Sequence, residues 1–186
     1  FIGVLLSDQF LRPIDDLTQG VRAIERREFR TRVPIHGPDE LGELSALLNT
    51  VLEGMQDLAV ARIVQESLFP AHPVALHGYQ IWGRSRAMTD IGGDYFDFFV
   101  LPGDRLMGLV GDVSGHGVSA ALVMGMAKSL FANPDNASRG IRELLLSFNR
   151  FLLANERAKK MMTLFLFTVD TGTHVLSYAN AGHNFP

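Results

Sequence analysis

The sequence predicts an α+β chain: two amphipathic helices of coiled-coil character, followed by an α/β region of antiparallel strands and helices. Three observations carry this expectation. Apolar residues step by three and four through the first part of the chain, two glycine-flanked acidic runs bracket an apolar stretch broken at Pro102-Gly103-Asp104, and strand-like runs alternate with apolar helical stretches thereafter. The 186 residues suffice for one domain with a sizeable core, or for a small helical module beside part of a larger domain. The pattern favours the second.

Composition narrows the function classes. With 47% apolar and 20% charged residues the chain is globular in character, and a net charge of -3 gives no electrostatic reason to expect nucleic acid as a partner. Cysteine is absent, which removes disulfides, thiolate zinc sites and a cysteine nucleophile, and suits a reducing cytoplasm.

Residues 1–12 open with Phe1-Ile2-Gly3-Val4-Leu5-Leu6, too short to span a bilayer, which needs roughly 20 apolar residues. The segment reads as the cytoplasmic end of a transmembrane or juxtamembrane helix with Arg12 as its positive flank, or equally as an apolar helix start. From Pro13, the stripe Ile14, Leu17, Val21 and Ile24 follows a coiled-coil seam, and Thr31 to Pro38, with two prolines and a glycine, reads as an extended connector. A second helix starts near Asp39-Glu40 and carries the seam Leu41, Leu44, Leu48, Val51, Met55 and Leu58.

Two such helices joined by an extended connector leave apolar stripes that a second chain would cover as a parallel bundle, which predicts a homodimer. An antiparallel hairpin within one domain would use the same stripes. Pro13 and Asp39-Glu40-Leu41-Gly42 make residues 13–58 resemble a HAMP signal-relay domain. The helix is expected to run on through Ala59 to Phe69 as a linker over 59–70, ended by Pro70, with its seam lapsing where the next heptad step falls on Arg62.

Downstream, over 71–186, strands are expected near Tyr79 to Arg84, Tyr95 to Leu101, Arg105 to Gly111, Thr163 to Val169 and Val175 to Asn180. Helices are expected near Val118 to Ala132 and Ser138 to Asn155. The Pro102-Gly103-Asp104 turn would bring Asp94 and Asp112 to one end of a sheet. Aspartates on glycine turns, without cysteine, form a hard oxygen site for Mn2+ or Mg2+, and two such ions can hold a phosphate and activate water for hydrolysis of a phosphate ester.

Four ordered runs then become informative together. Ala61-Arg62-Ile63-Val64-Gln65-Glu66-Ser67-Leu68-Phe69-Pro70, the GGDYFDF run from Gly92, the GDVSGHGVSAALVM run from Gly111, and Asn180-Ala181-Gly182-His183-Asn184 resemble the SpoIIE/RsbU-type branch of the metal-dependent PPM serine/threonine phosphatases. The resemblance implies a partial PPM-type α/β sandwich of two antiparallel sheets flanked by helices, with a two-metal centre at one edge. It assigns Asp94 and Asp112 as carboxylate ligands and the Val113 carbonyl as a further ligand.

Other residues carry weaker signals. Asp97 would point to the opposite strand face from Asp94, which suits a supporting role. His116 either donates a hydrogen bond near the phosphate or caps the following helix, and His183 is weighed similarly. Arg86, with Arg84, is a candidate phosphate ligand, although such residues more commonly form surface ion pairs. Ser114 and Ser119 lack a nucleophile elbow. Met124 and Met126 read as core packing.

The resemblance also implies strands beyond Pro186 and a late acidic loop, so the residues here would hold only part of the ligand set and act weakly alone. It points to a bacterial signalling phosphatase on the cytoplasmic side of the inner membrane. Its substrate would be a phosphorylated STAS-type anti-sigma-factor antagonist. A dimeric scaffold that binds a partner without catalysis is the competing reading.

Overall fold

The computed structural model describes residues 7–85, 91–155 and 160–184. The chain forms two compact units, Phe1–Val60 and Ala61–Pro186.

In the first unit a π-helical turn, Ser7–Leu11, leads into α1, Arg12–Glu25, with Pro13 at its start where no amide partner is needed. Arg27 turns left-handed at φ 60° and ends the helix, and Glu28 N–H bonds the Ala23 carbonyl while Arg27 N–H bonds that of Ile24. This closure usually employs glycine. The second helix, α2, spans Glu40–Glu66. Asp39 caps it by accepting a 2.9 Å bond from Gly42 N–H, which accounts for the acid at that position.

The connector fixes the relative direction of the helices. Val33, 4% exposed, lies against Gly20 and Leu48, and its N–H and C=O are both bonded by the Asn49 side-chain amide at 2.7 and 2.8 Å. His36 then meets Asp16, one turn nearer the start of α1. The connector therefore runs back along α1, and α1 and α2 are parallel.

The expected seam divides in two. Leu17, Val33 and Leu52 form the buried centre, with Ile24, Phe29, Leu41 and Leu48 packed on it. Ile14, Val21, Leu44, Val51 and Leu58 are between 48% and 52% exposed, so the chain covers only alternate members of the stripe. Leu52, outside the expected seam, is completely buried because Leu41, Ser45, Leu48 and Leu52 lie on one helical face.

The end of α2 falls three residues short of the expected Phe69, with Ser67 to Phe69 closing in turns through bonds to Ile63, Gln65 and Glu66. Strands β1, Val74–Leu76, and β2, Tyr79–Ile81, form a two-stranded antiparallel sheet. The first was not anticipated, and the second is shorter than the expected run to Arg84.

Four further strands, β3 (Asp94–Leu101), β4 (Arg105–Val113), β5 (Met162–Asp170) and β6 (Val175–Ala181), form an antiparallel meander in chain order. One face buries Tyr95, Met107, Leu109, Val113, Leu164 and Leu166 against α3, Val118–Phe131, and α4, Ile141–Ala154. The helix face contributes Ala120, Met124, Ala127, Phe131, Leu144 and Phe148. Met126 departs from the core expectation: two residues from Met124 it points to another side of α3, is 38% exposed, and lines a cleft of about 530 Å³ with Leu122 and Leu153.

Candidate metal centre

The site begins with a turn. Gly103 and Asp104, at φ 75° and 55°, close the β3–β4 hairpin, and pairing then runs without a bulge from Leu101↔Arg105 to Asp94↔Asp112. The two aspartates are direct cross-strand partners on the face away from α3 and α4, and both are exposed. A one-residue slip would send Asp112 to the helix-packed face. Like charges directly opposite one another are unfavourable, yet among the described residues neither carboxylate has a hydrogen-bond or ion-pair partner.

Oxygen atoms crowd the same corner. A β-carbon on Gly93 would strike the Val113 carbonyl and come within 2.9 Å of both Asp112 Oδ1 and the Gly115 carbonyl, so only glycine admits this approach. Val113 N–H bonds Gly93 C=O at 3.0 Å and continues the ladder past the end of β3. Every donor is a hard oxygen, the set that suits Mg2+ or Mn2+, and the cradle fits such an ion. The fit is partial: among the described residues no group of three or more His, Cys, Asp or Glu converges.

Three contacts hold the second acidic loop. Ser114 N–H bonds Met161 C=O at 2.8 Å, Met161 N–H returns a bond to Ser114 Oγ at 2.9 Å, and Lys160 Nζ donates to Ser114 C=O at 2.8 Å. Ser114 is thus a loop fastener. Gly115 and Gly117 turn left-handed at φ 78° and 86°, and Gly117 N–H bonds Ile91 C=O. Gly117 is the N-cap of α3 and no side chain caps that helix, so the capping role considered for His116 does not occur; His116 is exposed.

Gln65 holds the first loop. Its side chain, 5% exposed, donates from Nε2 to Gly92 C=O at 2.7 Å and lies 3.0 Å from Met124 Sδ. The last turn of α2 therefore bonds the residue two before Asp94. Within a helix, one more glutamine carries no distinctive sequence signal, and this link was not foreseen.

Asp97 has the buried, supporting place expected from its strand position. It is 3% exposed and accepts bonds from Tyr95 OH at 2.6 Å, Phe98 N–H at 2.9 Å and Lys128 Nζ at 2.7 Å. Burial, and then the bond and charge of Asp97, push the Tyr95 phenol well above its usual range, so it stays protonated. Arg84 is exposed, and the candidate phosphate ligand Arg86 lies outside the described residues.

The acidic row extends along the sheet. Asp112 pairs with Thr163 on β5, whose hydroxyl lies 2.9 Å from His183 Nδ1. His183 follows the left-handed Gly182, and Asn180 grips its backbone at both N–H, 2.8 Å, and C=O, 3.0 Å. Asp94, Asp112, Thr163 and His183 thus succeed one another across the end of the four-stranded sheet.

The HAMP domain profile matches residues 5–57, and the profile of Stage II sporulation protein E (SpoIIE) matches residues 102–186. The phosphoserine phosphatase RsbU of Bacillus subtilis is 29% identical over 129 residues, covering 68% of this chain and 38% of that protein. Residues 5–57 thus match a HAMP domain and residues 102–186 a SpoIIE-type domain, with similarity to PPM-type phosphatases. Protein IcfG of Synechocystis sp. is 26% identical over 215 residues, 92% of this chain and 34% of that protein.

The SiaA-PP2C domain of Pseudomonas aeruginosa shares the fold, with a TM-score of 0.55 at 18% identity over 70% of this chain and 55% of that one. The chain spans little more than a third of the length of the curated relatives it matches, 34% and 38%. Asp112, Val113, His116 and His183 fall inside the SpoIIE match; Asp94 precedes it and is placed by the hairpin register. PPM phosphatases are metal-dependent as a family. No helix among the described residues is long and apolar enough to cross a membrane.

Proposed function

We propose that the SpoIIE-type domain hydrolyses phosphoserine or phosphothreonine on a protein partner, with Asp94, Asp112 and the Val113 carbonyl holding Mn2+ or Mg2+. The observation that supports this reading is the Asp94–Asp112 cross-strand couple, without a hydrogen-bond or ion-pair partner among the described residues, beside the Gly93 oxygen cradle. Two opposed carboxylates cost stability unless a cation lies between them. When bound, the divalent ion neutralises phosphoryl charge and lowers the pKa of water. The protein's own contribution is to fix the donors: the hairpin sets their spacing, Gln65 holds the first loop, and Ser114 with Lys160 holds the second. His116, exposed on the second loop, hydrogen-bonds a phosphate oxygen in this reading.

The partner we infer is a small phosphorylated STAS-type anti-sigma-factor antagonist, as the relation to RsbU suggests. The HAMP unit would form a homodimer through Ile14, Val21, Leu44, Val51 and Leu58, the half of the seam that the protomer leaves exposed. Its signal would reach the metal site through α2, which continues past the first unit to Gln65. Association with the cytoplasmic face of the inner membrane completes the proposal.

The decisive measurement uses the full-length natural protein. Mn2+ titration calorimetry and hydrolysis of a phosphoserine peptide should both fail in Asp94→Asn and Asp112→Asn, with about 10³-fold or greater loss of rate. Retained Mn2+ binding and turnover in both variants would overturn the metal assignment. A wild-type protein that binds a partner but never turns over would instead favour the scaffold, the reading to which the two-carboxylate set gives some support.

A further inference from the structure

We propose that the cleft between α3 and α4 is where the protein substrate docks, taking an apolar side chain of the partner with a neighbouring carboxylate set against Lys160. The inference rests on the phosphatase reading above and adds the surface by which a folded substrate is chosen. A phosphorylated serine in the acidic row covers only a small part of the roughly 800 Å² that each partner contributes to a typical protein interface. A folded substrate therefore needs further contact close to that row.

Placement is the first argument. α3 begins at Val118, directly after the second acidic loop, and β5 begins at Met162, opposite Val113. The cleft is lined by Ser119 and Leu122 from the first turns of α3 and by Leu153 and Asn155 at the end of α4, so it opens at the end of the unit that carries Asp94 and Asp112. Lys160 joins the two places: it lines the cleft, and its Nζ donates at 2.8 Å to the carbonyl of Ser114, two residues beyond Asp112. The aspartates lie on the outer face of the sheet and the cleft lies in the helix layer, so a partner that wraps the sheet end meets both.

Chemistry is the second. Leu122 and Leu153 are 60% and 61% exposed, which excludes a role in the core, and Met126 beside them offers a flexible thioether that adapts to the shape of a guest. Apolar side chains grouped around a cleft of about 530 Å³ mark an interaction site, unlike single leucines scattered over a surface.

Charge is the third, and it selects the occupant. Among the described residues lining the cleft Lys160 alone is charged, and no carboxylate pairs with it. Its bond to the Ser114 carbonyl leaves further N–H donors open. A carboxylate on the partner satisfies them. A second copy of this surface is a poorer occupant, because a self-complementary contact brings leucine and lysine to the cleft but no carboxylate.

The test compares large and small substrates in the full-length natural protein loaded with Mn2+. One is a phosphorylated STAS-type antagonist of the same organism; the other is a short phosphoserine peptide that copies its phosphorylation site and cannot reach the cleft. Wild type should favour the antagonist in kcat/KM by about 10²-fold. Leu153→Glu should remove most of that preference, whereas Leu153→Lys should cost only about 10-fold, because the partner's carboxylate is repelled by the first and attracted by the second. Both losses should appear in KM, with peptide turnover changed by less than about two-fold. No preference in the wild type, equal losses on the two substrates, or a Leu153→Lys variant as damaged as Leu153→Glu would overturn the proposal. Self-association lost in Leu153→Glu by sedimentation, with antagonist turnover intact, would give the cleft to a second copy and overturn it too. Should the Leu153 variants fail to fold, the same pair of substitutions at Leu122 decides by the same criteria. Failure of the phosphatase reading looks different: the wild type would then hydrolyse neither substrate, and the proposal would fall with it.

Discussion

The HAMP unit and the SpoIIE-type unit solve the same problem of apolar surface in opposite ways. In the first, a seam that steps through Ile14, Leu17, Val21 and Ile24 on α1 is only half used, and Leu17 and Ile24 turn inward while Ile14 and Val21 remain at the surface. In the second, the strand pleat sends Tyr95, Met107, Leu109, Leu164 and Leu166 into a core closed by α3 and α4. A helix pair cannot surround its own stripe, whereas a sheet with two helices can bury a whole face. One unit thus leaves half of its stripe at the surface, and the other relies on strand register to bring Asp94 opposite Asp112.

The sharpest way to break the comparison is at Asp97. Asp97→Ala would leave the Lys128 ammonium and Tyr95 hydroxyl without their acceptor and should cost the SpoIIE-type unit about 3–5 kcal/mol. Urea unfolding followed by the near-ultraviolet signal of its aromatic residues would show this. A loss under 1 kcal/mol would mean that the partly buried Asp97–Lys128 pair is not integral to that core.

Next comes a pair of adjacent residues in the HAMP unit. Leu52→Ala removes a fully buried side chain and should cost about 2–5 kcal/mol, whereas Val51→Ala, at a position 48% exposed, should change protomer stability by less than about 0.5 kcal/mol. Val51→Ala should nevertheless weaken self-association, as sedimentation equilibrium would record. Equal effects on unfolding, or undiminished association, would contradict the divided seam.

A more modest effect is expected where α2 reaches the candidate metal centre. Gln65→Leu leaves the Gly92 carbonyl without its side-chain donor, a loss of about 1–2 kcal/mol, and should weaken Mn2+ binding by roughly ten-fold. Unchanged Mn2+ affinity in calorimetry would show that the Gln65 bond does not position Asp94.

Sequence patterns anticipated the parts of this fold that local chemistry controls. The Pro102-Gly103-Asp104 turn between two apolar runs was enough to bring Asp94 and Asp112 to one end of a sheet, and the structure makes them cross-strand partners. Asp39 at the start of α2 and the connector through Val33 followed from capping and proline signals. Long-range choices were less visible. Nothing local distinguishes Leu52 from Val51, because the choice depends on where α1 and Val33 lie. Thr163 could not be linked to Asp112 before the β4–β5 register was known, and Lys160 gave no sign of reaching Ser114 across 46 positions. The short β1 strand escaped notice because three residues are too few to establish a period.

The double grip of Asn49 on Val33 has a mechanical consequence. A side-chain amide that satisfies both polar groups of one connector residue acts as a rivet, and it joins the connector to α2 while His36 joins it to α1. Sliding α2 by one helical turn, about 5.4 Å, would shear the rivet and expose Val33, whereas tilting or rotating the whole protomer leaves it intact. The softest motion open to this unit is therefore that of a solid three-part wedge, so any displacement imposed on α1 must be carried into α2 with little slack.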